Sequence, residues 1–89
     1  MEKQLAYILI DLAERYGKSV RLDLDLARPT EGIEIDVSIS QEFLASMLGV
    51  PRQRVNVALQ AWKAKSWIRV NYNRITVLNE PALRKYSVL

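Results

Sequence analysis

Apolar residues at the start of the chain fall at helical intervals. Leu5, Ile8, Leu9, Leu12 and Tyr16 recur at i, i+3, i+4 and i+7, which stacks them on one face of a helix over Glu2–Tyr16. Gly17 ends that pattern, in the C′ place where a left-handed residue closes a helix. The period then changes to two. Val20, Leu22, Leu24 and Leu26 alternate with Arg21, Asp23 and Asp25, and Ile33, Ile35, Val37 and Ile39 alternate with Glu34 and Asp36. These runs predict two half-buried strands, over 20–26 and 33–39, separated by a loop over 27–32 that Pro29 and Gly32 punctuate. They pair as an antiparallel hairpin with the acidic side chains outward, where they would hold the hairpin away from phosphates.

Helical spacing returns at Ser40. Ser40 is a good N-cap and Glu42 suits the first turn of a helix that runs to about Leu48. Gly49 marks the turn. Pro51 fits the first position of a second helix, which ends near Lys65 and carries Val55, Ala58, Leu59 and Trp62 on one face. Residues 67–72 and 74–78 alternate again, with Asn73 suited to the left-handed conformation of a tight hairpin turn. Asn79, Glu80 and Pro81 open a short last helix anchored by Leu83 and Tyr86. Leu44, Leu48, Val50, Val55 and Ala58, with small Ala45 at the close approach and Gly49 at the bend, have the spacing of a DNA-binding helix-turn-helix. The predicted fold is α+β, a winged helix-turn-helix: a three-helix core, a β-hairpin after the first helix and a C-terminal β-hairpin wing.

Composition narrows the function. The chain has 89 residues, one domain's worth, with no histidine and no cysteine. That removes the commonest general base, the commonest metal ligand and any disulfide framework. There is no glycine-rich phosphate loop and no carboxylate pair in a recognisable pocket; Asp23 and Asp25 share a strand face, but a solvated one. The sequence therefore predicts no enzyme and no metal site. No apolar run approaches the ~20 residues of a membrane span, and no signal-peptide core is visible, so a soluble cytoplasmic protein with no membrane partner is expected. The net charge of +3 says less than its distribution. Residues 1–42 are net acidic, whereas 43–79 contain Arg52, Arg54, Lys63, Lys65, Arg69 and Arg74 and no aspartate or glutamate. The expectation is a positive surface with nothing to neutralise it, facing double-stranded DNA.

Helical geometry assigns roles on that surface. With Val55, Ala58, Leu59 and Trp62 inward, Gln53, Val57, Gln60 and Ala64 point the other way. Arg52, Gln53, Asn56 and Val57 would meet base edges: Arg52 matches guanine O6 and N7, Gln53 or Asn56 matches adenine, and Val57 matches a thymine methyl. Arg54, Gln60 and Lys63 would reach phosphate, with Asn73 and Arg74 contacting the backbone from the wing. The amides near Gln41 and Arg52 are natural phosphate sites at helix starts. The bland alternatives are ordinary polar surface for Arg52, Gln53 and Asn56 and an isolated surface valine for Val57. Trp62 and Trp67 read as packing anchors. Tyr72, at the wing tip, is open between packing and a phosphate contact. The rival to DNA binding is a winged helix used for protein–protein contact.

The whole chain resembles the C-terminal winged-helix domain of the Crp–Fnr family of bacterial transcription regulators. The matching pieces are Leu9-Ile10-Asp11-Leu12-Ala13-Glu14-Arg15-Tyr16-Gly17, Ile33-Glu34-Ile35-Asp36-Val37-Ser38-Ile39-Ser40-Gln41-Glu42, Leu48-Gly49-Val50-Pro51-Arg52-Gln53 and Asn73-Arg74-Ile75-Thr76-Val77-Leu78. The resemblance implies the recognition helix at about 51–65 in the major groove and the wing at 67–78 on the backbone. It implies a homodimer and an RNA polymerase contact in the intact regulator. Family members carry an effector-binding β-roll and a dimerisation helix ahead of this domain. The resemblance thus implies an excised domain or a truncated relative over 1–89, monomeric or weakly associating, with no cofactor of its own. Arg52 and Gln53 match the family's reading positions. Val57 stands where the family has a second arginine, and Pro51 where it has Ser or Thr. Groove docking carries over, whereas guanine preference opposite residue 57 should fall.

Overall fold

The computed structural model describes residues 1–22 and 30–87. Its elements run α1 (Glu2–Tyr16), β1 (Gly17–Leu22), β2 (Thr30–Ile35), α2 (Gln41–Leu48), α3 (Arg52–Ala64), β3 (Ile68–Asn71), β4 (Arg74–Val77) and α4 (Glu80–Ser87). The strands make one antiparallel sheet in the order β1-β2-β4-β3. The hairpin after α1 and the wing are thus continuous, joined where Ile33 pairs with Val77 and Glu34 with Thr76. This is the α+β winged helix-turn-helix expected, with α4 packed on α1 as a fourth helix.

The core lies between the helices and the inner sheet face. Leu5, Leu9, Ile35, Leu44, Val55, Leu59, Ile75 and Leu83 are shut off from solvent within it. On α1 the buried face is Leu5, Ala6, Leu9, Ile10 and Ala13, rotated from the one predicted. Ile8 and Leu12 sit half-buried at its edge, and Tyr16 is exposed. Leu5 and Leu9 belong to both the predicted and the observed face, and Ala6, Ile10 and Ala13 complete it in place of Ile8, Leu12 and Tyr16. At the other end of the chain, Asn79 caps α4 by accepting from the Ala82 amide at 3.2 Å. Tyr86 donates its hydroxyl to Glu2 at 2.6 Å and sets its ring edge-on to Trp62 and Trp67. That hydrogen bond, and next the negative charge of Glu2, raise the phenol's pKa above its ordinary value.

The strand limits also differ. β1 begins directly at Gly17, whose φ of −79° and ψ of 147° are extended rather than left-handed. The glycine is needed for space: a Cβ there would run into the Ala13 carbonyl and the Ile33 side chain. Gly32 belongs to β2, opposite Val20, and not to a loop; a Cβ on it would come within 2.9 Å of Thr76 Cγ2. The predicted strand end at 23–26 and most of the loop before Gly32 lie outside the described residues. β2 stops at Ile35 because the chain then leaves the ladder for the wing: the Ile39 amide donates to the Asn73 carbonyl at 2.6 Å.

Gly49 is the one glycine with a left-handed backbone, φ 68°, and nothing lies within 4 Å of a Cβ placed on it. Gly49→Ala should therefore cost only the conformational strain, about 1 kcal/mol. Gly17→Ala meets steric overlap instead and should cost about 2–3 kcal/mol. Urea unfolding of both variants checks the order; equal losses would contradict it.

Candidate nucleic-acid interface

The turn between α2 and α3 follows from three local features. Ser40 Oγ accepts the Phe43 amide at 3.0 Å and fixes the start of α2. Gly49 takes the left-handed conformation that reverses the chain, and the Val50 amide returns a bond to the Ala45 carbonyl at 3.1 Å. Pro51, with φ −63° and ψ 146°, is the N-cap of α3 and not its first helical residue, one position from where it was expected. An extended N-cap suits proline's fixed φ, though its ring can offer no side-chain cap.

α3 then divides cleanly. Val55, Ala58, Leu59 and Trp62 are buried, and Trp62 keeps only 3% of its surface. Gln53, Val57, Gln60 and Ala64 are exposed on the other side, with Val57 68% accessible. Around the start of this free face, Gln41, Arg52, Gln53 and Asn56 line a shallow hollow of about 430 Å³. Gln41 Nε2 donates to Asn56 Oδ1 at 3.3 Å, bridging the two helices. Arg52 Nη1 donates to Glu42 Oε1 at 3.2 Å. The structure brings together Gln41, Arg52, Gln53, Asn56 and Val57. Arg54 borders the same face, with Gln53, Val57, Met1 and Glu2 around a second hollow. Gln60 and Lys63 lie exposed further along α3.

The wing turns through Tyr72 and Asn73, both with positive φ (50° and 62°), the arrangement of a two-residue hairpin turn. Tyr72 is 93% exposed, so the packing alternative falls. Asn73 spends its carbonyl on the Ile39 amide, which ties the wing tip to the segment leading into α2. Arg74 is not free: it donates to Asp36 and lies 3.8 Å from Glu34. That bond, and next the charge of Lys18, hold the Asp36 carboxyl below the usual carboxylate range.

The basic stretch is thus partly neutralised, contrary to expectation. Acids from earlier in the chain, Glu42, Asp36 and Glu34, reach Arg52 and Arg74. Lys65 lies over the Trp67 ring at 4.7 Å. Among the described residues Arg54, Lys63 and Arg69 have no carboxylate partner. Sequence reasoning missed the three acids as interface residues, since each lies outside the acid-free run and meets its arginine only through the tertiary fold. Among the described residues no group of three or more acidic, histidine or cysteine side chains could hold a metal, and no helix is long and apolar enough to cross a membrane.

A capped helix, a left-handed glycine, a second helix with one free polar face and a flanking hairpin define a winged helix-turn-helix. The model of the Crp-like helix-turn-helix domain matches residues 3–86. The chain belongs to that family, and it is the DNA-binding domain of a transcription regulator. Among solved structures, the CO-dependent transcription factor CooA from Carboxydothermus hydrogenoformans is similar with a TM-score of 0.77 and 26% identity, over 97% of this chain and 36% of that one. Oxidized CprK in complex with o-chlorophenolacetic acid gives a TM-score of 0.80 at 23% identity, over 99% and 34%. A transcriptional regulator of the CRP/FNR family from Thermus thermophilus gives 0.76 at 17%, over 100% and 41%. The chain spans well under half the length of these structures. No curated protein matches it in sequence.

Proposed function

We propose that α3 enters the major groove of double-stranded DNA while the β3–β4 wing follows the adjacent backbone. The observation that carries this is the division of α3, whose Gln53–Val57 face is open while its Trp62 face is locked in the core. Arg52 reads guanine, Gln53 or Asn56 reads adenine, and Val57 packs on a thymine methyl. Arg54, Gln60 and Lys63 bind phosphate, and the amides at the starts of α2 and α3 add to them. At the wing, Asn73 and the Tyr72 hydroxyl face the backbone; Arg74 reaches it by exchanging Asp36 for phosphate. On this proposal the intact regulator works in the cytoplasm as a homodimer on half-sites about 34 Å apart, with RNA polymerase as a further partner and no enzymatic activity. Family membership supports these assignments.

A salt titration tests the reading. Each cation on a phosphate contributes about −0.9 to the slope of log K against log salt. Arg54 and Lys63 should give a slope of roughly −1.8, steepening if the wing arginines engage. A mixed-sequence duplex should bind in the range of about 10⁻⁴ to 10⁻⁶ M, and a duplex selected from a randomised pool more tightly. A flat salt dependence with no preference between duplexes would overturn it. One observation favours protein contact instead: Phe43 and Met47, one turn apart on α2, are 51% and 54% exposed. That reading requires duplex binding to be indifferent to Arg52 and Arg54.

A further inference from the structure

Glu42 is the last acid before the acid-free stretch, and it stands in the first turn of α2, at the helix end that would meet the DNA backbone. An exposed carboxylate there repels phosphate. Its favourable place on the helix dipole explains an acid in that turn, but not why the side chain reaches across to α3. The bond to Arg52 runs through Nη1. Nη1 is the guanidinium nitrogen on the Cδ side. Nε and Nη2, the side-on pair of donors, remain without a partner among the described residues. A side-on pair is one of the two edges by which a guanidinium makes a bidentate contact to guanine O6 and N7, and the one that leaves Nη1 to Glu42. One guanidinium can therefore hold the carboxylate and a base together.

We propose that Glu42 is a specificity-determining positioning residue, whose carboxylate turns the Nε–Nη2 edge of Arg52 toward the base and trades general phosphate attraction for discrimination. This rests on the major-groove reading of α3. In the free domain the pair is exposed and weak, screened by solvent. Once the groove excludes water, a charge-assisted bond of this kind becomes stronger and more directional. Gln41, the preceding residue, donates its Nε2 to Asn56 Oδ1 and so makes a second link from α2 to that face of α3. The first turn of α2 thus supports two of the side chains that line the hollow at the start of α3.

The test compares fluorescence anisotropy on three duplexes: one selected from a randomised pool, the same duplex with the guanine opposite Arg52 replaced, and a mixed-sequence control. Glu42→Ala should bind the control severalfold more tightly, and its preference for the guanine-bearing duplex should fall about tenfold. Glu42→Gln keeps an acceptor for Nη1 and should retain most of that preference. In an Arg52→Ala background, Glu42→Ala should leave discrimination unchanged while still tightening the control. A merely structural role would lower the melting temperature and weaken all three duplexes alike. That result, or undiminished discrimination in Glu42→Ala, overturns the role of Glu42 alone. A wild-type chain that does not distinguish the guanine duplex from its replacement overturns the groove reading beneath it.

Discussion

Replacing both Arg52 and Arg54 with glutamate is expected to weaken duplex binding at least a hundredfold and to abolish preference for a selected site. Two losses combine. A bidentate arginine–guanine contact is worth about 1–3 kcal/mol of discrimination, and Arg54 has no carboxylate partner among the described residues to soften its removal. The reversal also inserts repulsion, because a carboxylate at position 52 would face both the phosphates and Glu42, whose oxygen now lies 3.2 Å from Arg52 Nη1. Neither side chain contributes to the core, so the melting temperature should stay close to wild type. Anisotropy on a selected duplex beside a melting curve checks both parts. Unchanged binding would move the function to a protein partner.

The second large effect concerns the body that α3 rests on. Trp62→Ala should cost about 3–5 kcal/mol, the usual range for emptying a buried aromatic site. Trp62 is 3% exposed and meets the Tyr86 ring edge-on at 6.0 Å between centroids. Tyr86 also closes on Trp67 and bonds Glu2, so the vacancy loosens α4 and the start of α1 together. Domains of this size hold roughly 0.05–0.15 kcal/mol per residue, so the loss is a large fraction of the whole. The melting temperature should drop by at least ~12 °C. Val57→Ala is the control: the same helix, the opposite face, a change within about 0.5 kcal/mol. If the two variants were equally mild, the assigned inner and outer faces of α3 would be wrong.

Much of this arrangement is legible in the sequence because it is local. Ser40 before an apolar run, Gly49 between two helical periods and Asn73 between two alternating runs each impose a backbone conformation that neighbours cannot veto. The inward face of α3 is legible for the same reason: Val55, Ala58, Leu59 and Trp62 leave one choice of rotation. α1 is harder. Apolar residues cover more than half of its circumference, and large side chains pulled the predicted face toward Ile8, Leu12 and Tyr16. The packed side is instead the one carrying Ala6 and Ala13. Gly17 shows the same limit, since a steric need and a conformational need leave the same letter. Ser66, with φ 59° at the end of α3, takes a left-handed turn with no glycine or asparagine to announce it. Ion pairs were the least legible part of the site. Glu42 to Arg52 spans a turn between helices, and Asp36 to Arg74 joins the β2 end to the wing. Charge counted along the chain shows the basic stretch but not the acids that fold onto it.

If the open face of α3 lies inside the major groove, Val57 at its middle is the natural reporter. Intermolecular nuclear Overhauser contacts between methyl-labelled chain and a selected duplex test it directly. Contacts are expected from the Val57 methyls to major-groove base protons or a thymine methyl. Silence at Val57, with contacts instead from Ile8 on α1, would contradict it.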